Sequence, residues 1–342
     1  MKSRHPEAEI HILVGRRSSF AEPSLKGGFF HLHVIPLSPT PSFFSLKMLR
    51  FLLECGVGGC RTFFLFLKLR PKLVIGFGSL SSVPGVLFAA MFRIPILIHE
   101  QNAVSGRANQ FLARWANRIA ISFPETQGKF NPEKIVWAGY PLRPAFWEVV
   151  RKPDREEARQ KPFTVLVLGG SQGAKHLNVA FLKALETLRA EERKNLAVIH
   201  NVGGDNLNEI RTTYQSLGIA AEVDAFSYEI AHQYRRADLV ISRAGAGTIF
   251  ELAAMGRAAI LIPYPHAYAH QKVNAERLMQ KASARVIDDE DLEPSRLRDL
   301  ILELKNNPDE RIRLGMTIRK FAKDDASQTL VDIGWKLICD RN

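Results

Sequence analysis

The sequence predicts an α/β fold of two doubly wound, Rossmann-like domains facing a cleft. Three observations carry this. Short, mostly apolar runs alternate with helical patterns along all 342 residues, as strands buried on both faces of parallel sheets do. Two glycine-rich turns, GGSQGA at Gly169–Ala174 and RAGAG at Arg243–Gly247, each follow such a run and open a helical pattern. A polar, proline-bearing stretch between Pro141 and Pro162 separates two series of runs, and the chain is longer than one core usually serves.

The first series comprises Ile10–Val14, Leu73–Ile75, Ile96–Ile98, Arg118–Ser122 and Ile135–Trp137. The second comprises Thr164–Leu168, Ala197–Asn201, Ala221–Ala225, Leu239–Ser242, Ala259–Ile262 and Ala284–Val286. The expected first domain is 1–143 and the second 144–325, with a closing helix at 326–342 packing back on the first.

Composition narrows the class. With 46% hydrophobic and 24% charged residues the balance is that of a soluble globular chain. Only Cys55, Cys60 and Cys339 occur, which argues against a disulfide framework and a structural metal and for a reducing compartment. The net charge of +12 suits nucleic acid, anionic lipid or a phosphorylated ligand. With no RRM, KH or helix-turn-helix signature, nucleic acid is set aside. No apolar run reaches the roughly 18 residues of a transmembrane helix. The opening MKSRHPEAEIHILVG has no signal-peptide pattern and reads as the tail of a helix running into a strand.

The glycine turns carry the chemistry. In GGSQGA, small residues let backbone N–H groups approach an anion, and the helix start adds its positive end. The spacing is G-G-x-x-G, and no acidic residue is placed for a ribose, so a dinucleotide fingerprint is not met. A tight turn with no ligand stays open. In SRAGAGTIFELAAMG (Ser242–Gly256), Glu251 lies one turn inside the helix, facing back to the loop. A carboxylate there is poor for a phosphate and good for a ribose diol, so the pair of loops describes a nucleoside diphosphate. A first-turn glutamate favoured by the helix dipole is the plain alternative.

A third segment, LIPYPHAYAHQKVNAERL (Leu261–Leu278), joins a rigid loop to a helix beginning near His270. Gln271 and Asn274 supply amides suited to sugar hydroxyls, or are surface polar residues. His266 and His270 are four apart, but no third ligand is near, so no metal is expected.

Together these residues resemble the C-terminal half of GT-B glycosyltransferases. Within them, GGSQGA, RAGAGTIFELAAMG and IPYPHAYAHQKVNA resemble the peptidoglycan UDP-N-acetylglucosamine transferase family. The first half agrees through VIGFGSLSSVPGVLFAA, through HEQN (His99–Asn102) followed by G-x-x-N (Gly106–Asn109), and through GYPLRP. The resemblance runs from about His5 to the end. It implies that Arg143 reaches the donor diphosphate and that Ser171 sits at the phosphates, with Gln172 and Asn178 close by. Arg243 would open the second loop, with Ala246, Gly247, Thr248, Ile249 and Phe250 holding the nucleotide by their backbone. Glu251 would bind ribose, Gln271 the sugar hydroxyls, and Phe226 and Ser227 the uracil. His270 and Asn274 fall among the remaining cleft positions. His99, Glu100, Asn102 and Asn109 match polar cleft positions of the first half, Asn102 on the donor side.

The reaction implied is inverting transfer of N-acetylglucosamine from UDP-GlcNAc to the 4-hydroxyl of undecaprenyl-pyrophosphoryl-MurNAc-pentapeptide, with no cofactor and no metal. Glu100 and His99 are the base candidates present; structural hydrogen bonding is their alternative. The D-x-D-like triplet Asp289–Asp291 reads as N-terminal helix charge. Ser42–Lys72 is dense in Phe and Leu and carries Lys47, Arg50, Arg61, Lys68, Arg70 and Lys72 with Glu54 its one acid. It suits an anionic lipid surface and a peripheral place on the cytoplasmic face of a bacterial inner membrane, or else a core-packed helix with a solvated basic face.

Two departures stand out. The family has GGY where this chain has Gly78-Ser79-Leu80. The family also opens with a strand, a GGTGGH-type loop and a helix, and this chain starts inside that helix, with roughly 30 residues absent. A wrong start, a fragment, or an inactive copy that only binds nucleotide each fit, as does another UDP-sugar enzyme such as a glycolipid transferase or 2-epimerase.

Overall fold

The computed structural model describes residues 5–16, 30–38, 47–152, 161–169, 175–204, 206–265 and 270–341. The chain forms two compact units, one of 1–139 with 325–342 and one of 140–324. Ser171, Gln172, His266 and the start of the basic stretch up to residue 46 lie outside the described residues.

In the first unit the elements run β1 (Ile10–Gly15), β2 (Phe30–Ile35), α1 (Lys47–Leu69), β3 (Val74–Gly76), α2 (Ser82–Met91), β4 (Ile96–Glu100), α3 (Arg107–Leu112), β5 (Arg118–Ile121) and β6 (Ile135–Trp137). The second holds α4 (Pro144–Arg151), β7 (Phe163–Leu168), α5 (Lys175–Glu186), α6 (Ala190–Arg193), β8 (Leu196–Asn201), α7 (Leu207–Ser216), β9 (Ala220–Asp224) and α8 (Ile230–Arg236). It continues with β10 (Leu239–Ser242), α9 (Ala246–Met255), β11 (Ala258–Leu261), α10 (His270–Gln280), β12 (Arg285–Val286), α11 (Pro294–Asn306) and α12 (Pro308–Arg319). The last helix, α13 (Ala326–Cys339), belongs to the first unit.

Among the described residues all strand pairing is parallel. In the first unit β3-β4-β5-β6 form one sheet and β1-β2 another. The burial of β4 explains its sequence: ILIHE is buried at every position. Ile96 and Ile98 face a core with Val86, Ala89 and Leu112, and Leu97 faces the opposite core with Ala120, Ala138 and Leu330 of α13. A strand buried on both faces loses the alternation of a half-exposed one.

The second unit is one six-stranded sheet in the order β12-β11-β10-β7-β8-β9. Its interior strands β10 and β11, LVIS and AAIL, are buried throughout, as their mostly apolar runs require. α9 ends on Gly256 in the left-handed conformation, φ 60°, where a β-carbon would cost energy. Gly315 of α12 packs directly over this cap, and a β-carbon there would overlap the Gly256 carbonyl. This close approach fixes the helix that carries Glu251.

One strand is absent from the sequence reading: β2, FHLHVI. Among the described residues it pairs only with β1, and His31 and His33 break its apolar run. A search for wholly apolar runs passes over it. His11 opposes His31 across the pair, and its Nδ1 lies 3.0 Å from His33 Nε2.

Candidate active site

In a doubly wound sheet, ligands bind outside the carboxyl ends of the strands. In the second unit those ends carry most of the residues singled out in sequence. After β10 the chain turns at Gly245 and enters α9, whose start has no side-chain cap. The first backbone bond into the helix is Ile249 N–H to the Gly245 carbonyl. The N–H groups of Ala246, Gly247 and Thr248 therefore have no partner among the described residues, and with the helix dipole they form an anion seat.

Glu251 sits one turn inside. Tyr234 of α8 donates to its Oε2 at 3.1 Å, and the Arg143 guanidinium stands 3.9 Å from Oε1. Burial pushes the Glu251 carboxyl up to about 7, against the lowering effects of the Tyr234 hydroxyl and Arg143. Tyr140 stacks on Phe250 with ring centres 5.0 Å apart. A β-carbon on Gly247 would stand 3.2 Å from the Tyr140 hydroxyl, so the loop and this ring are in close register. Tyr234 and Tyr140 are the functional neighbours the sequence does not reveal. Both lie in a different element from Glu251, and only the fold brings them together. Tyr140 stands in the GYPLR motif, which is the one signal for it.

Arg243 acts as a brace. Its guanidinium pairs with Asp289, donates to the Ile262 carbonyl at 3.3 Å, and lies 5.5 Å over the Tyr264 ring. His176, in the first turn of α5, reaches the same Asp289 at 3.1 Å. Burial alone would raise the Asp289 carboxyl; Arg243 and His176 outweigh it and hold it below the usual range. Asp289 is thus no mere helix-start charge. It ties the second glycine turn to the helix that follows the first.

In α10, Gln271 accepts from the Tyr264 N–H at 2.9 Å, and its amide nitrogen has no partner among the described residues. Asn274 is fully buried and donates to the Ala244 carbonyl at 3.2 Å, holding the glycine turn from behind. His270 Nδ1 is buried without a partner among the described residues. Asn178 faces the interior instead: it donates to the Val202 carbonyl at 3.0 Å, and its Oδ1 meets His200 Nε2 at 3.1 Å. His200 accepts from the Tyr214 hydroxyl at 2.8 Å, and burial pushes it down to about 3, so it stays neutral. Beyond β9, Phe226 and Tyr228 are 57% and 74% exposed, edge to face, beside Ser227, whose hydroxyl caps the Glu229 N–H at 3.2 Å. Exposed rings at a strand's carboxyl end offer stacking area for a planar base.

In the first unit, His99 and Glu100 end β4. Glu100 is 1% exposed and accepts four hydrogen bonds. They come from Asn102 N–H at 3.0 Å, Asn102 Nδ2 at 3.2 Å, Gly106 N–H at 3.0 Å and Asn109 Nδ2 at 2.8 Å. A carboxylate has about four lone-pair sites, so Glu100 is fully engaged by its own loop. His99 Nε2 meets the Gly139 carbonyl and Ser122 Oγ, both at 3.1 Å, and Nδ1 meets Gln101 Nε2 at 3.3 Å. Burial lowers its pKa, only partly offset by the Gly139 bond and the Glu100 charge. The His99 and Glu100 side chains brace the loop; neither presents a free lone pair.

The loop after β3 holds Gly78 at φ 83° and Ser79 at φ 65°. The left-handed conformation is costly for a residue with a β-carbon. Ser79→Gly is expected to raise stability by about 1 kcal/mol, measured by denaturant unfolding.

Comparison with known proteins fits these features. The model of the glycosyltransferase family 28 N-terminal domain matches residues 5–121, and that of the family 28 C-terminal domain matches 164–330. UDP-N-acetylglucosamine--N-acetylmuramyl-(pentapeptide) pyrophosphoryl-undecaprenol N-acetylglucosamine transferase of Mesorhizobium japonicum is 37% identical, covering 78% of this chain and 71% of its own. The protein of that name from Rhizobium rhizogenes is 35% identical over 88% of this chain and 81% of its own. Among solved structures, Acinetobacter baumannii MurG superposes with a TM-score of 0.76 at 27% identity, over 98% of this chain and 93% of that one. The fold and the glycine-turn site define a GT-B sugar transferase. The chain belongs to glycosyltransferase family 28.

Proposed function

We propose that the chain transfers N-acetylglucosamine from UDP-N-acetylglucosamine to the 4-hydroxyl of lipid-linked N-acetylmuramyl-pentapeptide, with inversion at the anomeric carbon. Relatives 35% to 37% identical are named as N-acetylglucosamine transferases acting between UDP-N-acetylglucosamine and N-acetylmuramyl-(pentapeptide) pyrophosphoryl-undecaprenol. On the donor side the carrying observation is Glu251, a carboxylate held beside three unpartnered helix-start N–H groups. The N–H groups take the diphosphate, Glu251 accepts from the ribose hydroxyls, and Phe226 stacks on the base. Gln271 offers its amide nitrogen to the sugar. As the acceptor oxygen bonds to the anomeric carbon and gives up its proton to solvent, the glycosidic bond to the diphosphate breaks and negative charge grows on the leaving oxygens. The helix start and Arg143 stabilise it. His99 and Glu100 position the loop from Gln101 to Asn109, which carries Asn102 toward the donor.

Titration with UDP-N-acetylglucosamine, UDP-glucose and GDP-mannose tests the donor side. Binding of UDP-N-acetylglucosamine over both others is the expected order; equal binding of the guanosine sugar would overturn the uracil seat.

The acceptor is a membrane lipid, so the first unit must meet a bilayer. No helix among the described residues is long and apolar enough to cross a membrane. α1 instead offers a surface. Its exposed Leu49, Leu53, Val57, Phe64 and Leu67 recur at helical spacing and fall in one stripe roughly 80° wide. Arg50, Arg61 and Lys68 follow the same spacing along one edge of that stripe. The chain therefore docks peripherally on the cytoplasmic leaflet, apolar stripe down. In sedimentation with phosphatidylglycerol vesicles, Leu53→Ser with Phe64→Ser is expected to weaken partitioning at least about tenfold. Unchanged partitioning would contradict the α1 assignment.

A further inference from the structure

At the amino-terminal end of β3 and β4, the opposite end from His99 and Glu100, lies a cavity of about 580 Å³. It opens where α1 ends and β3 and β4 begin, so a strand's length separates it from the carboxyl ends of the sheet. Its floor is apolar: Phe66 of α1 and Ile94, which are 8% and 9% exposed, with Phe92 and with Ile338 of α13. Phe66 and Phe92 stack at 6.4 Å between centroids, which makes a rigid wall. Leu67, 48% exposed, forms part of the lip and also belongs to the apolar stripe of α1.

The rim has a different chemistry. Arg70, Lys72 and Arg341 line it, and no acidic residue does. None of the three has an ion pair or a side-chain hydrogen bond among the described residues. Arg70 adopts the left-handed conformation, φ 45°, at the end of α1, its N–H bonded to the Phe66 carbonyl at 2.9 Å. That helix-end position ordinarily falls to glycine. Three cations line one mouth with no carboxylate among them, so the rim attracts an anion. An apolar slot of this size with a few convergent charges is the form of a small-ligand site.

We propose that this cavity is a seat for a single phosphate-headed lipid, its aliphatic tail along Phe66, Phe92, Ile94 and Ile338 and its phosphate among Arg70, Lys72 and Arg341. The seat rests on the proposed membrane docking of α1 only for the source of the lipid. It is separate from donor binding. A bilayer phospholipid and a polyprenyl phosphate share the chemistry.

Titration calorimetry on the full chain tests it, with dihexanoyl phosphatidylglycerol below its micelle concentration as the probe. Saturable one-to-one binding is expected. Lys72→Gln with Arg341→Gln, both exposed, is expected to weaken it about thirtyfold, the loss of two cations facing one headgroup. Leu53→Ser with Phe64→Ser is expected to leave it unchanged, which separates the seat from the α1 stripe. Inorganic phosphate is expected not to bind, and dihexanoyl phosphatidylcholine to bind at least about tenfold more weakly. Farnesyl phosphate binding more tightly than the phosphatidylglycerol would assign the seat to a polyprenyl lipid; the reverse order would assign it to a bilayer phospholipid. Absence of saturable binding, or equal binding by the charge-deleted variant, would overturn the proposal. UDP-N-acetylglucosamine titrated into the same samples reports whether the donor assignment stands regardless.

Discussion

Replacing Glu251 by alanine is expected to weaken UDP-N-acetylglucosamine binding by about a hundredfold or more. Two hydroxyl hydrogen bonds to a buried carboxylate are each worth about 1.5–3 kcal/mol. Titration calorimetry measures the loss directly. The same residue gives a pH signature. Its carboxyl sits at about 7 in the folded chain, raised from 4.5 chiefly by burial. A ribose diol donates to the ionised form, so affinity is full above about pH 7 and falls as the group protonates below it. Between pH 8 and pH 6 the dissociation constant is expected to rise about tenfold. Glu251→Gln should abolish that slope. The donor carries no titrating phosphate in this range, so loss of the slope in the Glu251→Gln variant assigns it to this carboxyl. Stability moves the opposite way. The raised carboxyl costs the folded chain on the order of 3 kcal/mol above pH 7, and this cost is relieved as pH falls from about 7 towards 4.5. A flat binding profile would show that the ribose does not meet this carboxylate.

Glu100→Gln is expected to destabilise the first unit by about 3 kcal/mol, lowering its melting temperature by about 10 °C. The carboxylate accepts four hydrogen bonds while almost wholly buried. An amide turns one acceptor into a donor, and two of the four N–H groups around it would then face N–H. Thermal unfolding separates this from a base. A base replaced by its amide leaves melting unchanged and lowers the transfer rate by orders of magnitude. A bracing group does the reverse in first effect: melting falls, and the rate falls with the population of ordered loop. A stable Glu100→Gln chain with no transfer would return Glu100 to the role of base.

Much of this was legible in the residues. Buried parallel strands lack alternation, so runs such as VLVL and LVIS announced themselves, and the glycine turns after them fixed the carboxyl edge of the second sheet. Glu251 was legible because helical spacing turns it back to its own loop. β2 was hidden by His31 and His33, whose polarity interrupts the run. The partners of Glu251 were hidden for another reason: Tyr234 reaches it from another helix, and no local pattern encodes a contact across a sheet. Asp289 was misread from its surroundings, since an acidic cluster before a helix looks like dipole charge until Arg243 and His176 are found against it. Asn178 shows the limit of carrying a position over by motif. It follows the first glycine turn by one helical turn or so, yet its amide points into the core to His200.

The most direct test of the account is sugar transfer. The chain would be mixed with UDP-N-acetylglucosamine labelled in the sugar and a short-lipid muramyl-pentapeptide pyrophosphate, and the products separated by mass. The account predicts label in a disaccharide-pentapeptide lipid, with UDP released only when the acceptor is present. Label recovered as UDP-N-acetylmannosamine, or as free sugar released equally with and without the acceptor, would contradict it.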